Sequence, residues 1–302
     1  MTRVDVLAPA KINLTLHITG QRDDGYHLLD SLVTFAPVGD RLSVTEANTL
    51  SLTVEGPEVA GVPADMENIA LKAAHLMRGT RGAALTLVKF LPVASGIGGG
   101  SADAAAAVRA CLMLQDEAEG TLMAFGPQIL LDTRFRPLLG LGADIPMCLL
   151  PAPLRAQGIG DKITFTPLPG LPAVLVNPRV PVPTAKVFGA LAAKNNPPMP
   201  DEIPAFPDAA DLIAWLRTQR NDLEPPARVL APVIGEVLDS LAATPGCGLA
   251  RMSGSGATCF GLYDTVDAAQ AALADLKDAR PDWWIAAGVL GDMTDRAMPR
   301  TA

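Results

Sequence analysis

The residues best suited to chemistry lie in a glycine-rich stretch, SGIGGGSADAAAAV, that runs from Ser95 to Val108. It follows an apolar segment and leads into an alanine-rich segment that is typical of a helix. Glycines let a backbone approach a bulky anion, and a helix that begins near Ser101 has unpaired N–H groups at its start. This pattern predicts a cradle for a phosphate group, although a strand-to-helix turn without a ligand has the same pattern.

Three other structures that use glycine-rich sequences fit the stretch from Ser95 to Val108 less well. A flexible linker has polar flanks, which this stretch lacks. A dinucleotide-binding fingerprint needs a third glycine where Ser101 stands and an acidic residue about twenty positions on, where the sequence reads GTLMAFGPQILL. A Walker P-loop needs a Gly-Lys-Ser/Thr, which is absent from the stretch. The phosphate cradle and the unliganded turn therefore both stand.

Further polar residues occur where a site could use them. Asp144 lies among apolar residues in LGADIPMCL, so it either caps a helix or faces a site. Lys11 and Asn13 share the polar face of an alternating segment, where a lysine is either a solvated edge residue or part of a site. Tyr26 and His27 follow a loop and suit either the stacking of a nucleobase or an ordinary surface pair. A second glycine motif, RMSGSGATCFGLY, suits a hairpin or a ligand loop equally.

Hydrophobic periodicity predicts the elements that hold these residues. In the first half we predict strands over 12–19, 41–45, 50–54 and 84–90 and a helix over 68–77. In the second half we predict a strand in AVLVN, a loop in NNPPMPDEIPAFPD, helices over 225–243 and 266–276, and strands over 249–252, 258–263 and 283–289. The interleaving of strands and helices indicates an α+β sandwich, with a domain boundary near 155–175.

Composition narrows the class of protein. A chain of 302 residues with 49% hydrophobic residues is long enough for two domains. A net charge of -8 with 24 Lys and Arg argues against nucleic-acid binding. The four cysteines form no C-x-x-C pair, which argues against a zinc site or a disulfide framework. Lys11 interrupts the apolar run that a signal peptide needs, and Asp144 interrupts the most apolar later segment, so we expect a cytoplasmic protein without a membrane partner.

Three motifs together resemble the GHMP small-molecule kinase superfamily: PAKINLTL, P-x-x-S-G-I-G-G-G-S-A and MSGSGATCFG. The segments APAKINLTLHITGQRDDGYHLLDSLV, LGADIPMCL, GIGD, VNPRVPVPTAKVF and NDLE extend this resemblance in the expected order from Ala8 to Phe260. The resemblance implies a two-domain α+β fold. Residues 1–165 would form a mixed α/β domain resembling ribosomal protein S5 domain 2, and residues 166–302 a ferredoxin-like α+β sandwich.

The resemblance also implies an activity, the transfer of the γ-phosphoryl group of ATP, with Mg²⁺, to the 2-hydroxyl of 4-diphosphocytidyl-2-C-methyl-D-erythritol. This reaction belongs to the non-mevalonate (MEP) route to isoprenoid precursors. Lys11 and Asp144 would be catalytic, with Asp144 as general base. Asn13 and Thr184 would position the methylerythritol end, and Tyr26 and His27 would hold the cytosine. The ATP loop would comprise Pro92, Val93, Ala94, Ser95, Gly96, Ile97, Gly98, Gly99, Gly100, Ser101 and Ala102.

Two alternatives stay open, a GHMP kinase that acts on another small alcohol and a nucleotide-binding module without catalysis. We expect ATP and the cytidyl substrate as the binding partners of a monomer or homodimer. Two features depart from the family pattern. Ala102 stands where members commonly have a second serine, and the segment from Glu119 to Leu138 poorly matches the usual helical approach to the catalytic acid.

Overall fold

The computed structural model describes residues 2–119 and 133–301. The strands are β1 (Arg3–Asn13), β2 (His17–Gln21), β3 (His27–Glu46), β4 (Ser51–Glu55), β5 (Ala83–Val88), β6 (Leu154–Gly158), β7 (Lys162–Phe165), β8 (Leu171–Asn177), β9 (Cys247–Met252), β10 (Cys259–Tyr263), β11 (Trp284–Leu290) and β12 (Arg300–Thr301). The helices are α1 (Ile69–Arg78), α2 (Gly99–Glu119), α3 (Ile145–Leu149), α4 (Thr184–Gly189), α5 (Ala209–Leu216), α6 (Glu224–Leu230), α7 (Val233–Ala242), α8 (Val266–Ala279) and α9 (Thr294–Ala297), with a 3₁₀ helix over Thr133–Gly140.

The first sheet has the order β12-β1-β3-β5-β4, with β2 and β6 also pairing with β3 and β7 with β6. Successive residues of a strand point to opposite faces, and in β1 the side chains of Val4, Val6 and Ala8 are buried on the face that α2 covers. Asn68 caps α1 by accepting a hydrogen bond from the Ala70 amide at 2.9 Å. This half of the chain therefore places the glycine stretch at the start of a helix that lies on the sheet.

The second sheet has the order β11-β8-β10-β9, and all of its strands are antiparallel. Numbered within this sheet alone, the order is 4-1-3-2, which is the ferredoxin-like arrangement. Helices α7 and α8 pack on one face of the sheet, while Leu212, Ile213 and Leu216 of α5 pack on the other. The α+β fold with two sheets agrees with the sequence expectation. The division of the chain at 165/166 stays a prediction, and β12 returns to pair with β1.

Two predicted elements differ from the structure. The predicted helix over 225–243 is two helices, α6 and α7, because Pro232 has no N–H to donate and its ring disfavours a helical conformation at Ala231. The predicted strand over 12–19 is interrupted between β1 and β2. Its polar residues Lys11, Asn13, Thr15 and His17 are buried, so the solvated-edge interpretation of Lys11 is wrong.

The Pro-rich loop has neither helix nor strand over 191–208, as predicted, and is held by buried contacts. Asp30 accepts hydrogen bonds from the Met199 amide at 2.9 Å and from Arg155 at 2.6 and 2.7 Å. The segment from Glu119 to Leu138, which matches the family pattern poorly, lies mostly outside the described residues, because 120–132 are not described. Within the described ranges, no helix is long and apolar enough to cross a membrane.

Candidate active site

A cavity of about 1130 Å³ collects most of the predicted site residues, and both halves of the chain line it. The wall includes Lys11, Asn13, Tyr26, His27, Asp144, Thr184, Pro92, Val93, Ala94, Ser95, Gly96, Gly98, Gly99, Gly100 and Ser101. Ile97 and Ala102 are the two predicted residues that are not on this wall, because both side chains are buried in the core. Tertiary folding thus brings together residues from the start, the middle and the second half of the chain.

The glycine stretch folds as a turn that leads directly into α2. Gly96 and Gly98 have positive φ values of 76° and 65°, a backbone conformation that residues with a Cβ rarely adopt. A Cβ at Gly98 would lie 3.1 Å from Cε of Lys11, so a glycine here also leaves room for the lysine. Since α2 begins at Gly99, the N–H groups of its first turn have no acceptor within the helix and suit an anion.

Ala102 lies behind this turn. Its side chain is 1% exposed and packs into the core, while its amide donates to the Gly98 carbonyl at 2.8 Å. The absence of a second serine hydroxyl at this position therefore removes no side-chain group from the cavity wall. Ile97 is also buried, and its carbonyl accepts a hydrogen bond from the Lys11 amide at 2.9 Å, which ties the turn to β1.

The second glycine motif lies in the turn between β9 and β10 and packs against the first. Gly254 has a φ of 55°, and a Cβ there would lie 2.6 Å from the Gly96 carbonyl oxygen. Ser253 Oγ donates to the same oxygen at 3.2 Å, and the Thr258 amide donates to the Ser95 carbonyl at 3.1 Å. The motif is therefore a hairpin whose glycines permit close backbone contact with the loop of the other half.

Lys11 and Asp144 form an ion pair at one end of the cavity, with 3.0 Å between Nζ and Oδ2. Lys11 is 5% exposed and also donates to Asn13 Oδ1 at 2.8 Å, while Asn13 Nδ2 donates to Ser31 Oγ at 2.8 Å. Asp144 occupies the N-cap position of α3 without making a side-chain capping bond. Of its two predicted roles, the structure thus supports the site rather than the cap.

Aromatic residues line another part of the cavity. The rings of His27 and Phe188 lie 4.8 Å apart, and His27 Nε2 is buried without a hydrogen-bond partner among the described residues. Burial and then the Lys194 charge lower the pKa of His27, so its ring is neutral at pH 7. Tyr26 beside it is 59% exposed. A ring nitrogen without a hydrogen-bond partner, next to aromatic faces, suits a planar, hydrogen-bonding base.

Thr184 begins α4, and its Oγ1 lies 2.8 Å from Ser255 Oγ of the second glycine motif. Both residues line the cavity. Thr184 is thus held by the same turn that supports the glycine stretch.

Sequence reasoning missed a buried cluster of Lys89, Asp103 and Asp40 beneath the start of α2. Lys89 Nζ donates to Asp103 Oδ2 at 2.7 Å and also to Asp40. Burial alone would lower the pKa of Lys89, but the two carboxylates outweigh it and raise the pKa. Burial raises the pKa of Asp103 well above its usual range, and its Oδ1 has no hydrogen-bond partner among the described residues. In the sequence, the cluster is indicated only by Asp103, an acidic residue within the alanine-rich segment. Hydrophobic periodicity gives no reason to pair it with Lys89.

Comparisons with known proteins place this geometry in a family. Residues 68–135 match the GHMP kinases N terminal domain, and residues 203–281 match the GHMP kinases C terminal model. The 4-diphosphocytidyl-2-C-methyl-D-erythritol kinase of Roseobacter denitrificans is 53% identical over 98% of this chain and 97% of that protein. The kinase of the same name from Dinoroseobacter shibae is 55% identical over 94% and 93%.

A solved structure agrees with these relatives. The crystal structure of a 4-(cytidine 5'-diphospho)-2C-methyl-D-erythritol kinase is 34% identical to this chain, with a TM-score of 0.71, and the match covers 95% of this chain and 99% of that one. These matches extend across both halves of the chain. The chain therefore belongs to the GHMP kinase family and, within it, to the family of the 4-diphosphocytidyl-2-C-methyl-D-erythritol kinases.

Proposed function

We propose that this protein transfers the γ-phosphoryl group of ATP to the 2-hydroxyl of 4-diphosphocytidyl-2-C-methyl-D-erythritol, a step in the MEP route to isoprenoid precursors. The observation that carries the proposal is the composition of the single cavity described above. It combines a helix start that suits an anion, the Lys11–Asp144 ion pair and the His27 ring nitrogen, which has no hydrogen-bond partner among the described residues. The helix start suits the phosphates of the donor, the ion pair suits the alcohol, and the ring nitrogen suits the nucleobase. The names of the relatives agree with this assignment.

In the proposed reaction, Asp144 accepts the proton of the attacking hydroxyl. Its side chain is 39% exposed, so one carboxylate face is open to the cavity while the other lies against Lys11. The positive charge of Lys11 stabilises negative charge on the attacking oxygen. Asn13 fixes the lysine by accepting one of its hydrogen bonds. Phosphoryl transfer depends mainly on alignment and charge neutralisation, so these roles account for the residues at this end.

The phosphates lie, in this proposal, against the backbone amides at the start of α2. The residues from Pro92 to Ala102 form the loop, with Ile97 and Ala102 supporting it from the core and the others facing the nucleotide. His27 Nε2 bonds the edge of the cytosine while Tyr26 and Phe188 pack against its faces. Thr184 and Asn13 position the methylerythritol.

Mg²⁺ is expected with ATP, and the cavity fits a magnesium ion that the nucleotide carries. Among the described residues, no three His, Cys, Asp or Glu side chains cluster as a protein-built metal site would. Magnesium bound to ATP needs only one or two protein oxygens, however, because phosphates and water supply the rest. The unpartnered Asp103 Oδ1 and the Ser101 hydroxyl are the oxygens that would hold it. When bound, the ion neutralises charge on the phosphates.

A direct assay tests the proposal. Purified protein with ATP, Mg²⁺ and 4-diphosphocytidyl-2-C-methyl-D-erythritol is expected to release ADP, whereas 2-C-methyl-D-erythritol 4-phosphate, which lacks the cytidyl group, is not turned over appreciably. CMP should compete with the substrate, because it carries the base that His27 is proposed to recognise. ADP release no faster than in a substrate-free control contradicts the proposed reaction. Equal turnover of the truncated alcohol, or indifference to CMP, contradicts the cytidyl specificity.

A further inference from the structure

A second cavity, of about 490 Å³, lies on the first sheet away from the active site. Among the described residues, none lines both cavities. Four arginines face this second cavity, Arg3, Arg41, Arg296 and Arg300. In a chain with a net charge of -8, such a concentration of guanidinium groups runs against the average charge of the surface. We call it the arginine pocket.

Strand pairing explains why these side chains meet. Residues directly opposite each other on neighbouring strands point to the same face of a sheet. Asp5 is opposite both Arg300 and Ser43, and Leu7 is opposite Arg41. Because Val4, Val6 and Ala8 point to the buried face, this set points to the other face. Arg41 and Arg300 lie on either side of β1, roughly 10 Å apart across the strands and offset by two residues along them.

Charge within the arginine pocket is unbalanced. Arg3 pairs with Asp5 at 2.7 Å, and Ser43 Oγ donates to the same carboxylate at 2.6 Å. Partial burial opposes ionisation of Asp5, but these hydrogen bonds outweigh it and lower the pKa, so the Arg3–Asp5 pair is neutral overall. Arg41, Arg296 and Arg300 form no ion pair with any described residue. Three guanidinium groups therefore face one concave space in which Asp5, the one acidic residue on the described wall, is paired with Arg3.

The remaining wall of the arginine pocket is apolar. Arg41 lies over the Phe90 ring, 5.6 Å from its centroid, and the wall also includes Leu7, Val88 and Met298. Guanidinium groups bind phosphate oxygens in pairs of parallel hydrogen bonds, and cations spread over about 10 Å suit more than one phosphate. An apolar wall adds contact with an organic group.

We infer that the arginine pocket binds an organic diphosphate, with Arg41 and Arg300 contacting its phosphates and Phe90 contacting its organic part. This site is separate from the proposed ATP and substrate cavity. Binding here does not depend on the proposed reaction, so its test and the kinase assay can fail independently.

Inorganic pyrophosphate is the probe, titrated calorimetrically into the full-length protein without metal. The wild type is expected to show a binding event that the double variant Arg41→Ala/Arg300→Ala loses, with at least about hundredfold weaker affinity, because each charge-assisted contact contributes about tenfold or more. The matched control is Arg217→Ala/Arg280→Ala, which removes two partly or fully exposed arginines that do not line the arginine pocket. The control is expected to keep the event.

Circular dichroism and basal ADP release show whether each variant is folded, since neither pair belongs to the proposed catalytic machinery. Superimposable isotherms for the wild type and Arg41→Ala/Arg300→Ala overturn the inference. Equal weakening in the control also overturns it, because the effect would then report net charge rather than a site. If the double variant fails to fold, Arg300→Gln alone is used, with at least about tenfold weaker binding expected and unchanged affinity as the contrary result.

Discussion

Replacement of Asp144 by Asn tests the proposed base most directly. The amide keeps the size of the carboxylate and can still accept a hydrogen bond from Lys11, so the 3.0 Å contact need not be lost. It cannot accept the proton of an alcohol. Loss of a general base lowers rates by about 10² to 10⁴, so we expect kcat to fall at least about a hundredfold. The KM for ATP should change little, because the α2 amides that face the phosphates are unaltered.

The cost to stability should be moderate. The Asp144 side chain is 39% exposed but that of Lys11 is only 6% exposed, so the loss of the carboxylate leaves a buried ammonium held by neutral acceptors and costs more than the loss of a surface pair, about 1 to 3 kcal/mol. In a chain of this size that corresponds to a fall in Tm of a few degrees, which thermal unfolding measures directly. A fall in turnover would therefore reflect chemistry rather than unfolding.

The assay is steady-state ADP release with ATP and the cytidyl substrate varied separately. The matched control is Asp208→Asn, since Asp208 is the N-cap of α5 and Asn caps equally well. Near-normal turnover in Asp144→Asn would refute the assignment.

Two further outcomes follow from the structure. Gly98→Ala places a Cβ 3.1 Å from Cε of Lys11 at a φ of 65°, and we expect kcat/KM for ATP to fall at least about tenfold. The control is Gly79→Ala, which is also at positive φ but faces open space and should lose stability without a change in KM. Equal kinetics in the two variants would contradict a specific role of Gly98. Burial and then the Arg220 charge lower the pKa of His17 in the folded protein below its ordinary value of 6.5. The folded state therefore has its full stability above about pH 6.5, where the ring is neutral, and loses stability as the pH falls through the pKa of the folded protein. Tm measured from about pH 8 to pH 5 should decline less in His17→Gln than in the wild type, and parallel declines would exclude His17 as the cause.

The glycine stretch and the α+β class could be predicted because they depend on short-range patterns. Periodicity located α1, β4, β5 and β10 within a few residues, and the start of α2 follows from glycines that precede an alanine-rich run. The break at Pro232 was equally local, and the prediction of one long helix there overlooked it. The family motifs added the expected site residues, which no periodicity could supply.

By itself, then, the sequence determined which residues could do chemistry and which elements carry them. Only the tertiary structure decided which of them meet. It paired Lys11 with Asp144, buried the polar face of β1, and joined Lys89 to Asp103 under α2. It also directed the Ala102 side chain into the core and brought arginines from three strands and a helix to one pocket. The physical reason is that local sequence fixes the direction of a side chain relative to its own element, whereas its neighbours depend on strand order, register and helix packing between segments far apart in the chain.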